Sequence, residues 1–205
     1  MSAPRPHDLL WLRNSSALAT IKESWVSPFW HPGLPVVVRR DHRESGLIPI
    51  GVRGEHREQR AAGWTTPADI IRVVTPESLA ERTLLLASPF AAYAPVSAAI
   101  ALSETVWPWC WGITGSTGFA LATQRPTLHA ASDLDLVIRA PEPLQRDALQ
   151  RWQTETDALG CRVDTQVETP SGAFALNEWL REGRVLLKTD TGPILTASPW
   201  SRENP

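Results

Sequence analysis

Residues 133–138 read Asp133-Leu134-Asp135-Leu136-Val137-Ile138, and the reading of this stretch decides the fold. It is a short apolar run of strand length. Strand side chains alternate, so Asp133 and Asp135 share one face while Leu134 and Leu136 point to the other. Two carboxylates side by side at a strand start repel each other unless something positive lies between them. A hard divalent cation such as Mg²⁺ suits that place, held by a few carboxylates and by substrate phosphates. The alternative, for this pair taken alone, is a solvated strand edge.

Upstream stands Gly112-Ile113-Thr114-Gly115-Ser116. Residues 109–114 read as a buried strand that breaks at Gly115-Ser116 and enters a helix over 117–123. Glycine permits a sharp turn and close approach of a ligand, and a helix start offers free backbone N–H groups to phosphate oxygens. Other glycine motifs fail here. No lysine follows as in a P-loop, Thr114 stands where a nucleophile elbow needs glycine, and Gly112, Gly115 and Gly118 lack dinucleotide-binding spacing.

Downstream, residues 143–159 predict a long helix with Leu144, Ala148, Trp152 and Leu159 near one face, ended by Gly160. Residues 162–168 alternate as a strand in which Asp164, Gln166 and Glu168 share a face. A third acid there can join the pair around metal ions or accept a proton from an incoming hydroxyl. Residues 172–182 read as helical and 185–188 as a last strand. Residues 95–104 read as an Ala-rich helix. Helices alternating with strands predict a mixed α/β sheet with flanking helices.

The N-terminal part has a different texture. Residues 25–35 (WVSPFWHPGLP) cannot form a regular helix. Residues 36–38 and 47–52 read as strands around a polar loop. Thr66-Pro67 and Thr75-Pro76 each look like a helix start, the second carrying residues 77–86. A smaller β-rich subdomain over 1–88, followed by a catalytic domain over 89–205, is the expected division.

The 205 residues suffice for one large domain or two small ones. A net charge of −2 speaks against bulk nucleic-acid binding. Two cysteines make no disulfide framework, and neither a signal peptide nor a long apolar span is visible, so a reduced, cytoplasmic setting away from membranes is expected. Cys110 reads as buried filling rather than a nucleophile. The five histidines show no metal-ligand spacing. Trp107, Trp109 and Trp111 read first as core packing, with adenine stacking as the alternative. Arg39, Arg40, Arg43, Arg53, Arg57 and Arg60 concentrate positive charge in the N-terminal part. The first three read as a solvated loop.

Gly-Ser at a helix start, Asp-x-Asp on the next strand and an acid on the strand after it resemble the nucleotidyltransferase superfamily over about residues 95–190. The departure is the long gap from Ser116 to Asp133, which makes 124–132 an insertion near the site. Asp164 best matches the third acid, with Glu168 as the alternative. The whole chain resembles the malonate decarboxylase holo-acyl-carrier-protein synthases, also called phosphoribosyl-dephospho-CoA transferases. The stretches that carry this are Arg5-Pro6-His7-Asp8-Leu9-Leu10-Trp11, Gly51-Val52-Arg53-Gly54 with Arg57, Gln59 and Arg60, and Trp111 to Ser116. Ser132 to Leu136, Val163 to Pro170, Asn177-Glu178-Trp179 and Leu187-Lys188-Thr189 complete it.

The resemblance implies transfer of a phosphoribosyl-dephospho-CoA group from triphosphoribosyl-dephospho-CoA to a serine of the acyl carrier protein, with release of pyrophosphate. It implies Mg²⁺ or Mn²⁺ on Asp133, Asp135 and Asp164, which also serve as the catalytic residues. Substrate contacts fall to Gly115, Ser116, Arg53, Arg57, Arg60 and Lys188. The arginines would meet donor phosphates or carrier acids, and Lys188 the leaving pyrophosphate unless it is simply a surface lysine. Two rivals remain: a nucleotidyltransferase that uses ATP, and a binding module without turnover.

Overall fold

The computed structural model of the chain describes residues 3–42, 46–54, 56 and 58–201. It divides into two compact units, residues 1–75 and 76–205. The boundary thus falls after Thr75 and not near residue 88. The reason is the short helix that begins at Pro76, whose backbone lies so close to Gly112 that a Cβ there would sit 2.3 Å from the Pro76 carbonyl carbon.

The first unit is an antiparallel sheet. Its elements are β1 (Leu9–Leu12), the single helical turn α1 (Val26–Phe29), β2 (Val36–Val38), β3 (Ile48–Arg53), β4 (Arg60–Thr65) and β5 (Ile70–Val74). The strand order is β4-β3-β2-β1-β5. Leu10, Leu12, Val36, Val38, Ile48, Ile50 and Val52 form its core. Residues 5–8 of the N-terminal motif tie β1 to β2: the His7 N–H donates to the Val38 carbonyl at 3.0 Å and the Val38 N–H returns to the Asp8 carbonyl at 2.9 Å. The helix expected at Thr66-Pro67 is only a 3₁₀ turn, Pro67–Asp69. The run Ile70-Ile71-Arg72-Val73-Val74 then pairs with β1, because β-branched residues favour a pleated strand over a helix.

The second unit is a mixed sheet with helices. It comprises α2 (Pro76–Leu79), α3 (Arg82–Ala87), α4 (Ala94–Leu102), β6 (Cys110–Ile113), α5 (Gly115–Thr123), β7 (Leu134–Arg139), α6 (Arg146–Asp157), β8 (Val163–Thr169), β9 (Gly172–Ala175), α7 (Leu176–Glu182), β10 (Val185–Thr189) and β11 (Gly192–Thr196). The order is β11-β10-β9-β8-β7-β6. Only β7 and β8 run parallel, and α6 is the crossover between them. β2 and β7 therefore belong to different sheets.

Three expectations change here. The helix over 77–86 is broken into α2 and α3, because Glu81 is extended (φ −63°, ψ 120°). Residues 172–175 form a strand, not the first turn of a helix. Ala173 and Phe174 are fully buried and β9 fills the gap between β8 and β10, so tertiary pairing overrides helix propensity. β11 is an added strand, joined to β10 through a two-residue turn after Thr189. The buried stripe of α6 is Leu149, Trp152 and Thr156.

Trp152 is the hub of this core. Trp107, Trp109 and Trp111 set their rings 4.8, 5.9 and 5.7 Å from it, edge to face, and its Nε1 donates to Thr165 Oγ1 at 3.0 Å. The tryptophans are packing residues, as first read. Cys110 is exposed on the edge strand, not buried, since alternation turns it away from that cluster. Among the described residues no helix is long and apolar enough to cross a membrane.

Candidate active site

Three carboxylates converge where β7 and β8 begin. The register pairs Asp135 with Asp164, and Asp133 lies two residues before Asp135 on the same face. Ligand oxygens of Asp133, Asp135 and Asp164 all lie within 4.8 Å of one another, and all three residues are half-buried. The strands run parallel here, so both acids of that register pair stand at N-terminal strand ends.

The turn into α5 is fastened to this acidic strand. Thr114 donates through its N–H to the Asp135 carbonyl at 2.9 Å, and the Thr117 hydroxyl donates to the Asp133 carbonyl at 3.1 Å. Gly115 has φ +62°, a left-handed conformation that favours glycine. The space where its side chain would be is taken by Asp135: an added Cβ would lie 1.9 Å from Oδ2. Glycine thus lets the helix start and the carboxylate meet. The first turn of α5 carries no acidic side chain, so its free N–H groups present a positive end to an anion beside the three acids.

Two neighbours complete the surroundings. The Arg162 guanidinium Nη2 reaches both oxygens of Asp164, at 2.9 and 3.2 Å. Burial pushes the Cys161 thiol pKa up, and the negative charge of Asp133 pushes it further in the same direction.

Glu168, the alternative third acid, is engaged elsewhere. It pairs in register with Arg139, four residues beyond Asp164, or ~13 Å along the strand. There the buried Arg139 guanidinium binds Glu168 through Nη1 and Glu77 through Nε, the latter at 2.8 Å. Lys188 does not join the acids either. It lies in the register row of Ala173 and Glu168, two strands from β8 and at the far end from Asp164, further than a lysine side chain reaches. Its exposed position fits the surface reading.

In the first unit, Arg53 and Arg60 face each other directly across β3 and β4, both exposed. Like charges opposed on adjacent strands are unfavourable by themselves. Arg57, like Arg43, lies outside the described residues. Arg39 pairs with Asp41 at 3.2 Å, as a solvated loop does. Sequence reasoning passed over Arg139 and Arg162. Period-two alternation could have found both, since Arg139 follows Asp133, Asp135 and Val137 on one face and Arg162 precedes Asp164 by two.

Comparison with known proteins covers the chain almost from end to end. Residues 83–199 match the family described as "Phosphoribosyl-dephospho-CoA transferase MdcG C-terminal domain", and residues 5–76 match the corresponding N-terminal domain. A Klebsiella pneumoniae protein named "Phosphoribosyl-dephospho-CoA transferase" is 63% identical over 204 residues, covering 99% of this chain and 100% of its own length. Relatives with the same name from Pseudomonas putida (strain W619) and Azotobacter vinelandii are 42% and 41% identical, covering 98% and 96% of this chain and 97% and 94% of their own lengths. No solved structure matches. With both domains matched in order and relatives this similar over their full lengths, the chain belongs to the phosphoribosyl-dephospho-CoA transferase MdcG family.

Proposed function

We propose that this chain transfers a phosphoribosyl-dephospho-CoA group from triphosphoribosyl-dephospho-CoA to a serine of the malonate decarboxylase acyl carrier protein, in the cytoplasm. The observation that carries the proposal is the acidic triad packed against the Gly115 helix start, in a chain whose relatives are named for this transfer. Three hard oxygen donors suit Mg²⁺ or Mn²⁺, and their 4.8 Å spread is one that small carboxylate rotations close around a single ion. When bound, the ion neutralises charge on the phosphate oxygens and so lowers the barrier.

The chain's own residues position the reaction. Gly115 and Ser116 offer backbone N–H groups to donor phosphate oxygens. Asp133 and Asp135 would hold the ion. Asp164 completes the ligand set or accepts the proton of the carrier serine. The serine Oγ forms a bond to the α-phosphorus, the bond from that phosphorus to the pyrophosphate oxygen breaks, and the serine proton leaves to base. Such a transfer needs positioning and charge neutralisation more than covalent help from the protein.

The decisive experiment is mass spectrometry of the carrier protein after incubation with this protein, Mg²⁺ and donor. The expected result is a carrier heavier by the phosphoribosyl-dephospho-CoA arm. A carrier modified by AMP when ATP is supplied would hand the reaction to an ATP-using nucleotidyltransferase, and an unmodified carrier under both conditions would leave a binding module.

The Arg53–Arg60 pair supplies a further check. An ATP-using enzyme needs only the helix start, the acids and one or two cations. Two opposed arginines provide an anion site in excess of that, suited to the larger donor. Each charge-assisted contact contributes about 1.5–3 kcal/mol. Triphosphoribosyl-dephospho-CoA should therefore bind about a hundredfold more tightly than ATP, and Arg53→Ala or Arg60→Ala should narrow the gap tenfold or more. Titration of both nucleotides at fixed salt measures this; equal affinities for wild type would refute it.

Gly115→Ala tests the cradle. The added methyl group must displace the Asp135 carboxylate, while the left-handed backbone adds about 1–2 kcal/mol of strain. Mn²⁺ affinity should fall at least tenfold in a protein that still unfolds cooperatively. Unchanged affinity would show that the contact does not set the geometry of the site.

A further inference from the structure

We infer that Arg162 is a placeholder cation: it occupies Asp164 when no metal ion is bound, and is released toward the donor phosphates when one enters. This rests on the metal-site reading above and adds to it a residue that links metal loading to donor binding.

The geometry makes the two cations competitors. Arg162 Nη2 lies 2.9 Å from Asp164 Oδ2 and 3.2 Å from Oδ1, so it engages the oxygens through which Asp164 would bind an ion. Asp164 belongs to the triad whose ligand atoms lie within 4.8 Å of one another, so an ion shared by all three must take at least one of those oxygens. A guanidinium and a divalent cation repel when both crowd one carboxylate.

The side chain is free to leave. Arg162 is 76% exposed and Asp164 39%, and an exposed ion pair of this kind is weak. The backbone beneath stays anchored, since the Arg162 carbonyl accepts the Leu134 N–H at 2.9 Å at the mouth of the β7–β8 pair. A displaced Arg162 therefore swings from a fixed point at the rim of the triad. Its planar fork of N–H donors matches a phosphate group, and the phosphates of a metal-bound donor lie beside that ion. Arg162 is thus a positioning residue, whose charge opposes the ion before the donor arrives and supports the donor afterwards.

The test separates these two effects. Mn²⁺ binding is followed by electron paramagnetic resonance for wild type, Arg162→Ala, Arg162→Lys and Asp135→Asn, without donor. Steady-state transfer is then measured with triphosphoribosyl-dephospho-CoA at saturating Mn²⁺. Arg162→Ala should bind Mn²⁺ about two- to fivefold more tightly than wild type. Its KM for donor should rise tenfold or more, with a smaller change in kcat. Arg162→Lys should recover part of the KM, because an ammonium keeps the charge and loses the fork. A merely structural arginine would not tighten metal binding when removed.

If Arg162→Ala binds Mn²⁺ no more tightly than wild type, while Asp135→Asn abolishes binding, the exchange is wrong and the metal site stands. If wild type binds no Mn²⁺, or Asp135→Asn binds it equally well, the metal-site reading and the exchange fall together. The high exposure of Arg162 makes loss of folding a poor explanation for any outcome, and matching thermal midpoints for the variants check that.

Discussion

Replacing Asp135 with Asn is expected to lower the rate of transfer by about a thousandfold while leaving the protein folded. Asp135 stands at the centre of the proposed site. It pairs in register with Asp164, shares its face with Asp133 and fills the space that Gly115 leaves open. Asparagine is nearly the same size, so the cradle survives. An amide nevertheless carries no charge, and it cannot neutralise a divalent ion as a carboxylate does. A thousandfold loss corresponds to ~4 kcal/mol of barrier, within the several kcal/mol that a metal contributes to stabilising transferred charge. Asp133→Asn should behave alike. The measurement is transfer to the carrier protein under single-turnover conditions, beside a thermal melt of each variant. A variant retaining more than about a tenth of the wild-type rate would remove that residue from the metal site, since the loss would then be under ~1.4 kcal/mol.

The second large effect concerns stability. Arg139→Met is expected to cost about 3–5 kcal/mol, because it removes the buried guanidinium that binds both the buried Glu168 and the partly exposed Glu77. The Arg139 side chain is 8% exposed and that of Glu168 9%, so water has little access to that pair in place of the guanidinium. A loss of that size should lower the thermal midpoint by about 6–20 °C for a chain of this length. The double variant Arg139→Met with Glu168→Gln should recover part of it, since an amide is less costly to bury without a cation than a carboxylate is. Urea unfolding of the three proteins measures both terms. If Arg139→Met lost less than about 1 kcal/mol, the network would be solvated in practice, and Glu168 would be available for other work.

These two predictions draw on different kinds of information. That Asp133 and Asp135 share a face was legible in the sequence, because strand alternation is local and needs no partner. The glycine turn before them was legible for the same reason: Gly115 and Ser116 follow an apolar run and open a helix. The mixed sheet with flanking helices, and a smaller β-rich N-terminal part, were also readable from pattern and from proline placement. What local pattern misjudged was governed by neighbours. Residues 173–175 have no strong preference against helix, and became part of β9 because a buried slot between β8 and β10 accepted Ala173 and Phe174.

The choice between Asp164 and Glu168 was of this second kind. Both lie on one face of β8, and alternation cannot rank them. Register alone separates them: the parallel pairing sets Asp164 beside Asp135 and Glu168 beside Arg139. Strand order, which inserts β9 between β8 and β10, sets Lys188 apart from the three acids. The sequence by itself determined which residue types can share a face and where a helix can begin after a glycine turn, since these follow from backbone geometry within a few residues. Which carboxylates meet, which one a buried arginine holds, and which arginine stands over Asp164 were decided only by tertiary structure, because charges interact across space and not along the chain.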